Sequence, residues 1–283
     1  MVNITDAATV ALLDADADLG RLMSAEQLKQ ARSQLTVRRH VLEAGPWEGE
    51  RLRGAGAEHV GLLVLAGLMI RELVLADNVA AELLGPGDLV RPWQAAGPER
   101  LVPYQIRWTA LEPTELAILD RRFAALLPHY PQVNAMLIDR LTERSQRMSL
   151  MQAISQLNGV DRRLLTLFWH LAERWGRVTK AGVVVPVVVP HRVLAQLVGA
   201  RRPTVSSALG QLADRGEVVR APDGGWLLTG APVGIPTTEA MRIVRMRRFC
   251  GARPADEDGR GTPERSRLGV ELAEALAVAR ADS

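Results

Sequence analysis

Between residues 189 and 212 the chain sets two short apolar stripes on either side of Gly199, and few folds accommodate that pattern. Leu194, Leu197 and Val198 mark one face of a first helix, and Val205, Ala208, Leu209 and Leu212 mark one face of a second, each at three-and-four spacing. A glycine between them accepts the positive φ that a tight interhelix turn tends to require, and Ala195 is small enough to let the helices approach closely. The second helix then carries Arg201, Arg202, Thr204, Ser206 and Ser207 at its leading end. Those side chains can donate to base edges and phosphates. A helix pair hinged on glycine also occurs in ordinary helical cores, so the neighbouring residues must decide between the two uses.

Two neighbours favour DNA. After Leu212, residues 218–220 and 226–228 read as strands around the turn Pro222-Asp-Gly-Gly225, a hairpin with the look of a wing. Upstream, the β-branched run 183–189, broken by Pro186, could supply a strand for that wing. Charge follows the same segment. Residues 155–230 hold 10 Lys/Arg against 5 Asp/Glu, a local +5, whereas residues 1–154 stand at −3 and residues 231–283 at +1. Phosphate neutralisation needs that basic excess where it falls.

The rest of the chain bounds the function. At 283 residues and 47% hydrophobic content it can fold as more than one globular domain. Its longest apolar runs, near 60–70 and 183–189, are too short to span a membrane, and Asp6, Asp14, Asp16 and Asp18 give the N-terminus no secretory plan. A cytoplasmic protein with no membrane partner is expected. One cysteine, Cys250, allows no internal disulfide and no multi-cysteine zinc or iron–sulfur site within one chain.

From residue 37 to about 119, short apolar runs alternate with glycine or proline turns. Candidate strands are 37–42, 59–65, 69–75, 83–84, 104–109 and 115–119, with turns at Ala44-Gly-Pro46, Ala66-Gly67 and Gly85-Pro-Gly-Asp88, which suggests a sandwich or jelly roll. A short helix over 25–35 with Ser24 as its N-cap precedes it, and residues 1–24 read as an extension. Residues 131–157 change to helical period, with Leu137, Leu141, Met148 and Met151 forming a stripe suited either to a parallel dimer partner or to the helix's own β domain. Dimerisation is the favoured use, because helix-turn-helix proteins commonly bind two half-sites. A further helix over 161–175 starts with Asp161 as N-cap and buries Leu164, Leu165, Phe168, Leu171 and Ala172, so Trp169 and Trp175 are assigned to packing. Residues 231–283 read as a basic, partly disordered tail: Arg242, Arg245, Arg247 and Arg248 offer a non-specific DNA contact or a solvated face, 251–261 reads as disordered, and 270–280 as a terminal helix.

Taken in order, the fold class is α+β: a jelly-roll or β-roll effector-like domain at 25–130, a long dimerisation helix at 131–157 and a winged helix-turn-helix domain at 158–230. In that order, and in the segments Leu-Leu-Gly-Pro-Gly-Asp-Leu at 83–89, Thr-Ala-Leu-Glu-Pro-Thr-Glu-Leu at 109–116, 164–178 and 194–225, the chain resembles the Crp/Fnr family of bacterial transcription regulators. The resemblance implies a homodimer on double-stranded DNA, with RNA polymerase among its partners and a small-molecule effector or none.

Cyclic-nucleotide-binding members of that family follow the Gly-Asp turn with a Gly-Glu-Leu segment and an arginine that holds the cyclic phosphate. Here Gly87-Asp88 leads instead into a stretch without Gly-Glu-Leu, in which Pro92 removes a backbone donor and Arg91 and Arg100 are the remaining anion candidates. Cyclic AMP binding of the usual kind is not expected. Haem would need an axial ligand, for which His40 and His59 lie in the β domain as candidates, and a lone histidine near a strand is more often structural. A jelly-roll metal enzyme needs converging histidines and a carboxylate, which these two do not supply. No catalytic residue, cofactor or metal site is expected. A winged helix that binds a protein instead of DNA is the other reading.

At the interface itself, His191 and Arg192 at the start of the first helix are assigned to phosphate. Arg202 matches the family's first base-reading arginine, but Pro203 stands where an acid is usual and Ser207 where a second arginine is usual. Proline is acceptable in a first helical turn yet its side chain accepts no hydrogen bond from cytosine. Arg202 is therefore the candidate for a bidentate guanine contact, with Ser206 and Ser207 toward bases, Arg201 or Thr204 on phosphate, and the wing residues Arg220 and Gly224 along the backbone.

Overall fold

Strand alternation decides where each layer of this protein sits. In the computed structural model, which describes residues 8–49, 59–93, 101–232, 234 and 236–251, the chain runs β1 (Thr9–Ala11), α1 (Leu12–Ala15), a 3-10 turn (Ala17–Gly20), α2 (Ala25–Gln34), β2 (Thr36–Leu42), β3 (Gly45–Trp47), β4 (Gly61–Ala66), β5 (Met69–Leu75), β6 (Asn78–Leu84), β7 (Leu89–Val90), β8 (Gln105–Ala110) and β9 (Thr114–Leu119). There follow α3 (Arg121–Leu126), a second 3-10 turn (Leu127–His129), α4 (Pro131–Gln156), α5 (Val160–Trp175), β10 (Arg177–Val178), β11 (Val183–Val185), α6 (His191–Val198), α7 (Arg202–Asp214), β12 (Val218–Arg220), β13 (Trp226–Leu228) and α8 (Thr237–Gly251).

Two antiparallel sheets, ordered β1-β2-β9-β4-β7 and β3-β8-β5-β6, stack as the expected sandwich. Along β4 and β9 successive side chains enter different cores, as the two-residue strand period requires. Leu62, Val64, Leu116 and Ile118 meet Met69, Leu84, Trp108 and Ala110 between the sheets. Leu63, Ala117 and Leu119 point outward and are covered by Leu12, Leu13, Leu19, Phe123, Val133, Met136 and Leu137. Residues 8–24, read from sequence as an extension, are thus part of the domain: β1 pairs with β2, and Leu12, Leu13 and Leu19 are fully buried. Residues 1–7 lie outside the described set.

Several local expectations shift. The capping box at Ser24 forms as the sequence implies, with Gln27 closing it. Gly45 and Pro46, expected as a turn, belong to β3, and proline is tolerated there because β3 lies at the edge of its sheet. β6 extends from the two expected residues to seven, pairing from Asn78 through Leu84 with β5. Gly67 turns the chain between β4 and β5 at φ +90°, where a Cβ would lie 2.5 Å from the Pro113 carbonyl. The N-cap of α5 is Gly159, while Asp161 sits inside the first turn and takes Arg215 at 3.1 Å. Trp169 is buried in that helix's core, as packing required. Of the tail, 237–251 is helical, with Ala240 and Val244 buried against the C-terminal core and Arg242 paired to Glu239. The side chains of Arg247 and Arg248, the stretch 252–261 and the expected helix at 270–280 lie outside the described residues.

The third sheet, β10-β11-β13-β12, backs the C-terminal helices. β11 comes from the β-branched run and pairs with β13, so the expected strand for the wing is present but ends before Pro186. Phe168 and Trp226, 4.6 Å apart between ring centroids, pack with Leu164, Leu194, Val205, Leu209 and Leu212 at the centre of this core. That same cluster takes in Leu68, Ile70 and Leu83, so the outer face of the β5–β6 hairpin is part of it.

Candidate nucleic-acid interface

The turn between α6 and α7 has the geometry its glycine implied. Gly199 adopts a left-handed φ of +62° at the C-cap of α6, and the Ala200 N–H returns to the Ala195 carbonyl at 2.9 Å. A Cβ there would touch Ser155 only at 3.9 Å, so the backbone angle and not crowding selects glycine. α7 then starts at Arg202 with Pro203 in its first turn, buries Val205, Ala208, Leu209 and Leu212, and presents the opposite face to solvent.

On that face Arg201, Arg202 and Thr204 are exposed, and neither arginine has an ion pair among the described residues. Ser206 and Ser207 are exposed too, with their hydroxyls engaged locally: Ser206 Oγ lies 3.0 Å from His191 Nδ1, and Ser207 Oγ donates to the Pro203 carbonyl at 3.2 Å. His191 therefore joins the start of α6 to the exposed face of α7. Arg220 on the wing lays its guanidinium over the Trp226 ring, 4.5 Å from the centroid. Gly224, at φ +85°, closes the wing turn, where the Ala221 N–H reaches the Gly225 carbonyl at 2.9 Å. A groove of about 580 Å³ between α7 and the wing is lined by His191, Ser206, Gly210, Val218, Arg220 and Trp226, among others. Arg192 stands apart from these residues. Its guanidinium turns to Glu72 on β5 at 2.7 Å.

The long helix α4 spans 131–156, close to the expected 131–157, but its stripe divides. Leu137 is 3% exposed and packs into its own β domain, and Met151 packs against the C-terminal core. Leu141 and Met148, 46% and 48% exposed, remain open together with Ile138 at 54%. Positions 138, 141, 145 and 148 follow one another at three- and four-residue steps, so the open seam keeps Leu141 and Met148 and takes Ile138 in place of Leu137.

Buried carboxylates join these parts. Asp88, 2% exposed, accepts the Gly85 N–H at 2.9 Å, Arg174 of α5 at 2.7 Å, and Arg147 of α4. Burial lowers the Arg174 pKa; Asp88 opposes that effect and Arg147 reinforces it. Glu82 takes Arg144 of α4 at 2.6 Å and Arg71 at 3.3 Å, and Arg140 binds Asp16. Burial pushes the Glu82 carboxyl up, yet the hydrogen bonds and charges of Arg144 and Arg71 outweigh it and hold the pKa below the usual glutamate value. A carboxylate whose pKa falls on folding stabilises fully above its unfolded pKa, about 4.3, and loses that contribution as pH drops through the folded value. The thermal midpoint should therefore fall more steeply between about pH 5 and about pH 3 in the wild type than in Glu82→Gln. Parallel slopes would exclude this role for Glu82.

Arg71 and Arg144 also line a cavity of about 310 Å³ with Arg91, Trp108, Leu137 and Leu141. Arg91 Nη2 donates to the His59 carbonyl at 3.0 Å while its Nε is buried without a hydrogen-bond partner. Arg100 lies outside the described residues. His59 stands edge-on to Trp93 at 6.0 Å, and burial holds the His40 imidazole below its usual pKa. Among the described residues there is no group of three or more His, Cys, Asp or Glu that could hold a metal ion.

A sequence profile for the Crp-like helix-turn-helix domain matches residues 162–227, the segment that holds α6, α7 and the wing. Over that segment the chain is similar to Crp-like helix-turn-helix domains. The regulatory protein CysR of Synechococcus elongatus is 30% identical over 149 residues, 51% of this chain and 63% of the relative, so the match spans less than two thirds of that protein. The fold is shared with a CooA variant from Carboxydothermus hydrogenoformans, at a TM-score of 0.56, 16% identity and coverage of 83% of this chain and 95% of that one. It is shared as well with FixK2 from Bradyrhizobium japonicum, at a TM-score of 0.52, 17% identity and coverage of 77% and 99%. Among the described residues, no helix is long and apolar enough to cross a membrane.

Proposed function

We propose that this protein is a homodimeric, sequence-specific DNA-binding transcription regulator of the cytoplasm, which acts on promoters through double-stranded DNA and RNA polymerase. One observation carries the reading: α7 presents Arg201, Arg202 and Thr204 outward, with no ion pair on either arginine among the described residues, from a helix fixed by a left-handed Gly199 and flanked by a wing. Arg202 reads a guanine edge through its paired donors, and Arg201 and Thr204 hold phosphates. His191, Ser206 and Arg220 line the groove between α7 and the wing, and Ser207 on α7 and Gly224 in the wing turn complete the contact. Dimerisation runs along Ile138, Leu141 and Met148. Cyclic AMP is not the signal, because the Gly-Glu-Leu cassette is missing and Pro92 removes a backbone donor from the stretch that follows Gly87-Asp88.

Fragmented genomic DNA selected on the protein and sequenced should yield an enriched palindromic motif. On that motif Arg202→Ala should cost on the order of 1–3 kcal/mol, and much less on random duplex. Equal losses on both would make Arg202 a backbone contact. Absence of any enriched motif would favour a winged helix that binds protein.

A further inference from the structure

The two faces of β5 serve different neighbours. In the β5–β6 register Arg71 opposes Glu82 and Glu72 opposes Ala81, so adjacent residues 71 and 72 project to opposite sides of the hairpin. Arg71 turns to the cavity beside α4. Glu72 turns to the C-terminal domain with Ile70 and Leu83. There its carboxylate, 6% exposed, accepts Arg192 Nη1 at 2.7 Å and Gln196 Nε2 at 2.8 Å, two donors one turn apart on α6.

Arg192 is not buried with its partner. Its side chain is 59% exposed, so a guanidinium with five donors commits one nitrogen to the carboxylate and leaves the rest facing water. A carboxylate and a phosphodiester present the same thing to such a group, a singly charged pair of oxygens. Arg192 begins the helix that leads into the exposed recognition face, two residues after Pro190 and adjacent to His191, whose ring touches Ser206 of α7.

We propose that Glu72 is an internal stand-in for a DNA phosphate: it occupies Arg192 in the free protein, and DNA takes Arg192 only by displacing it. The proposal rests on the DNA-reading function above. Binding of DNA and release of β5 from α6 are then linked, so whatever moves the β5–β6 hairpin changes DNA affinity by the same factor that DNA changes the hairpin. Arg71, the next residue along the strand, lines the 310 Å³ cavity, which puts occupancy of that cavity one residue from the carboxylate.

Fluorescence anisotropy of the full chain on random-sequence duplex, taken across a salt series, tests this with wild type, Glu72→Gln, Arg192→Gln and the double variant. In the wild type, Glu72 released by DNA recruits a cation of its own and offsets one counterion release. Glu72→Gln should bind several-fold more tightly at low salt, with a log affinity against log salt slope steeper by about one. Arg192→Gln should abolish that gain, so that the double variant matches it. Glu72→Asp, which retracts the carboxylate by one methylene, should move the same way, and thermal melts of each variant identify any that fail to fold. Weaker binding in both folded Glu72 variants, or an unchanged affinity and slope, would overturn the proposal and leave Glu72 as a simple fastener of α6. If the wild type shows no salt-dependent DNA binding, the DNA-reading function itself fails and the stand-in role goes with it.

Discussion

Asp88→Ala should lower the free energy of unfolding by about 3 kcal/mol, the lower part of the range for stripping one partner from a buried ion pair. The carboxylate faces two arginines that arrive from different helices, Arg147 from α4 and Arg174 from α5, and it also holds the Gly85 N–H. Removing it leaves two cations, each about a quarter exposed or less, beside one another without their shared carboxylate and with Glu143 as the remaining counter-charge to Arg174. Residual access to water keeps the loss from reaching the upper end of the range. Arg174 would still donate to the Gly85 and Pro86 carbonyls, at 3.2 and 2.9 Å, so the turn would loosen without leaving the helix altogether. Asp88→Asn should cost less than alanine, since an amide oxygen can still take the Gly85 N–H. Denaturant unfolding of the three proteins measures the difference, and a loss under about 1 kcal/mol for alanine would show that the joint is held elsewhere.

That joint gives the Gly-Asp turn a role the sequence did not suggest. The motif at 85–88 was legible as a family signature whose nucleotide cassette had gone. What the turn does here depends on Arg147 and Arg174, 59 residues or more away along the chain, and no local pattern announces such partners. The same distance hid the partners of Glu72 and Asp16. Arg192 read as a phosphate anchor because the start of a helix and a positive charge are local facts, whereas the carboxylate that holds it lies 120 residues upstream.

Local physics was readable where one residue type satisfies a backbone demand. Gly199, Ser24 and the 183–189 run announced a turn, a cap and a strand, and each stands where it was expected to within a few residues. Reading failed where tertiary pairing overrides weak propensity. Val79, Ala80, Ala81 and Glu82 are mostly poor strand formers, yet they extend β6 because β5 offers a complete ladder. At the N-terminus, residues 1–24 read as an extension, with acids at 14, 16 and 18. Leu12 and Leu13, just before Asp14, and Leu19, just after Asp18, are buried, and Asp16 is neutralised by Arg140.

The seam on α4 keeps Leu141 and Met148 of the expected stripe and takes Ile138 in place of Leu137, and it carries the largest functional effect. A helix packed on a β domain along Val133, Met136 and Leu137 must show its neighbour a different face, and that face holds Ile138, Leu141 and Met148. Leu141→Glu with Ile138→Glu places like charges opposite one another across a parallel two-fold contact and removes the apolar area that would drive association. The double variant should run as a monomer in analytical ultracentrifugation and keep the wild-type secondary structure, because both side chains are about half exposed within the single chain. Affinity for a palindromic site should then fall by roughly 10²- to 10⁴-fold, the loss expected when two linked half-site contacts become one. Binding to an isolated half-site should barely change. Leu137→Ala, by contrast, should cost about 2–5 kcal/mol of stability in the monomer itself, since that residue fills the chain's own core. A charged seam that still sediments as a dimer would move the interface off α4, and full affinity from a monomer would remove the need for two half-sites.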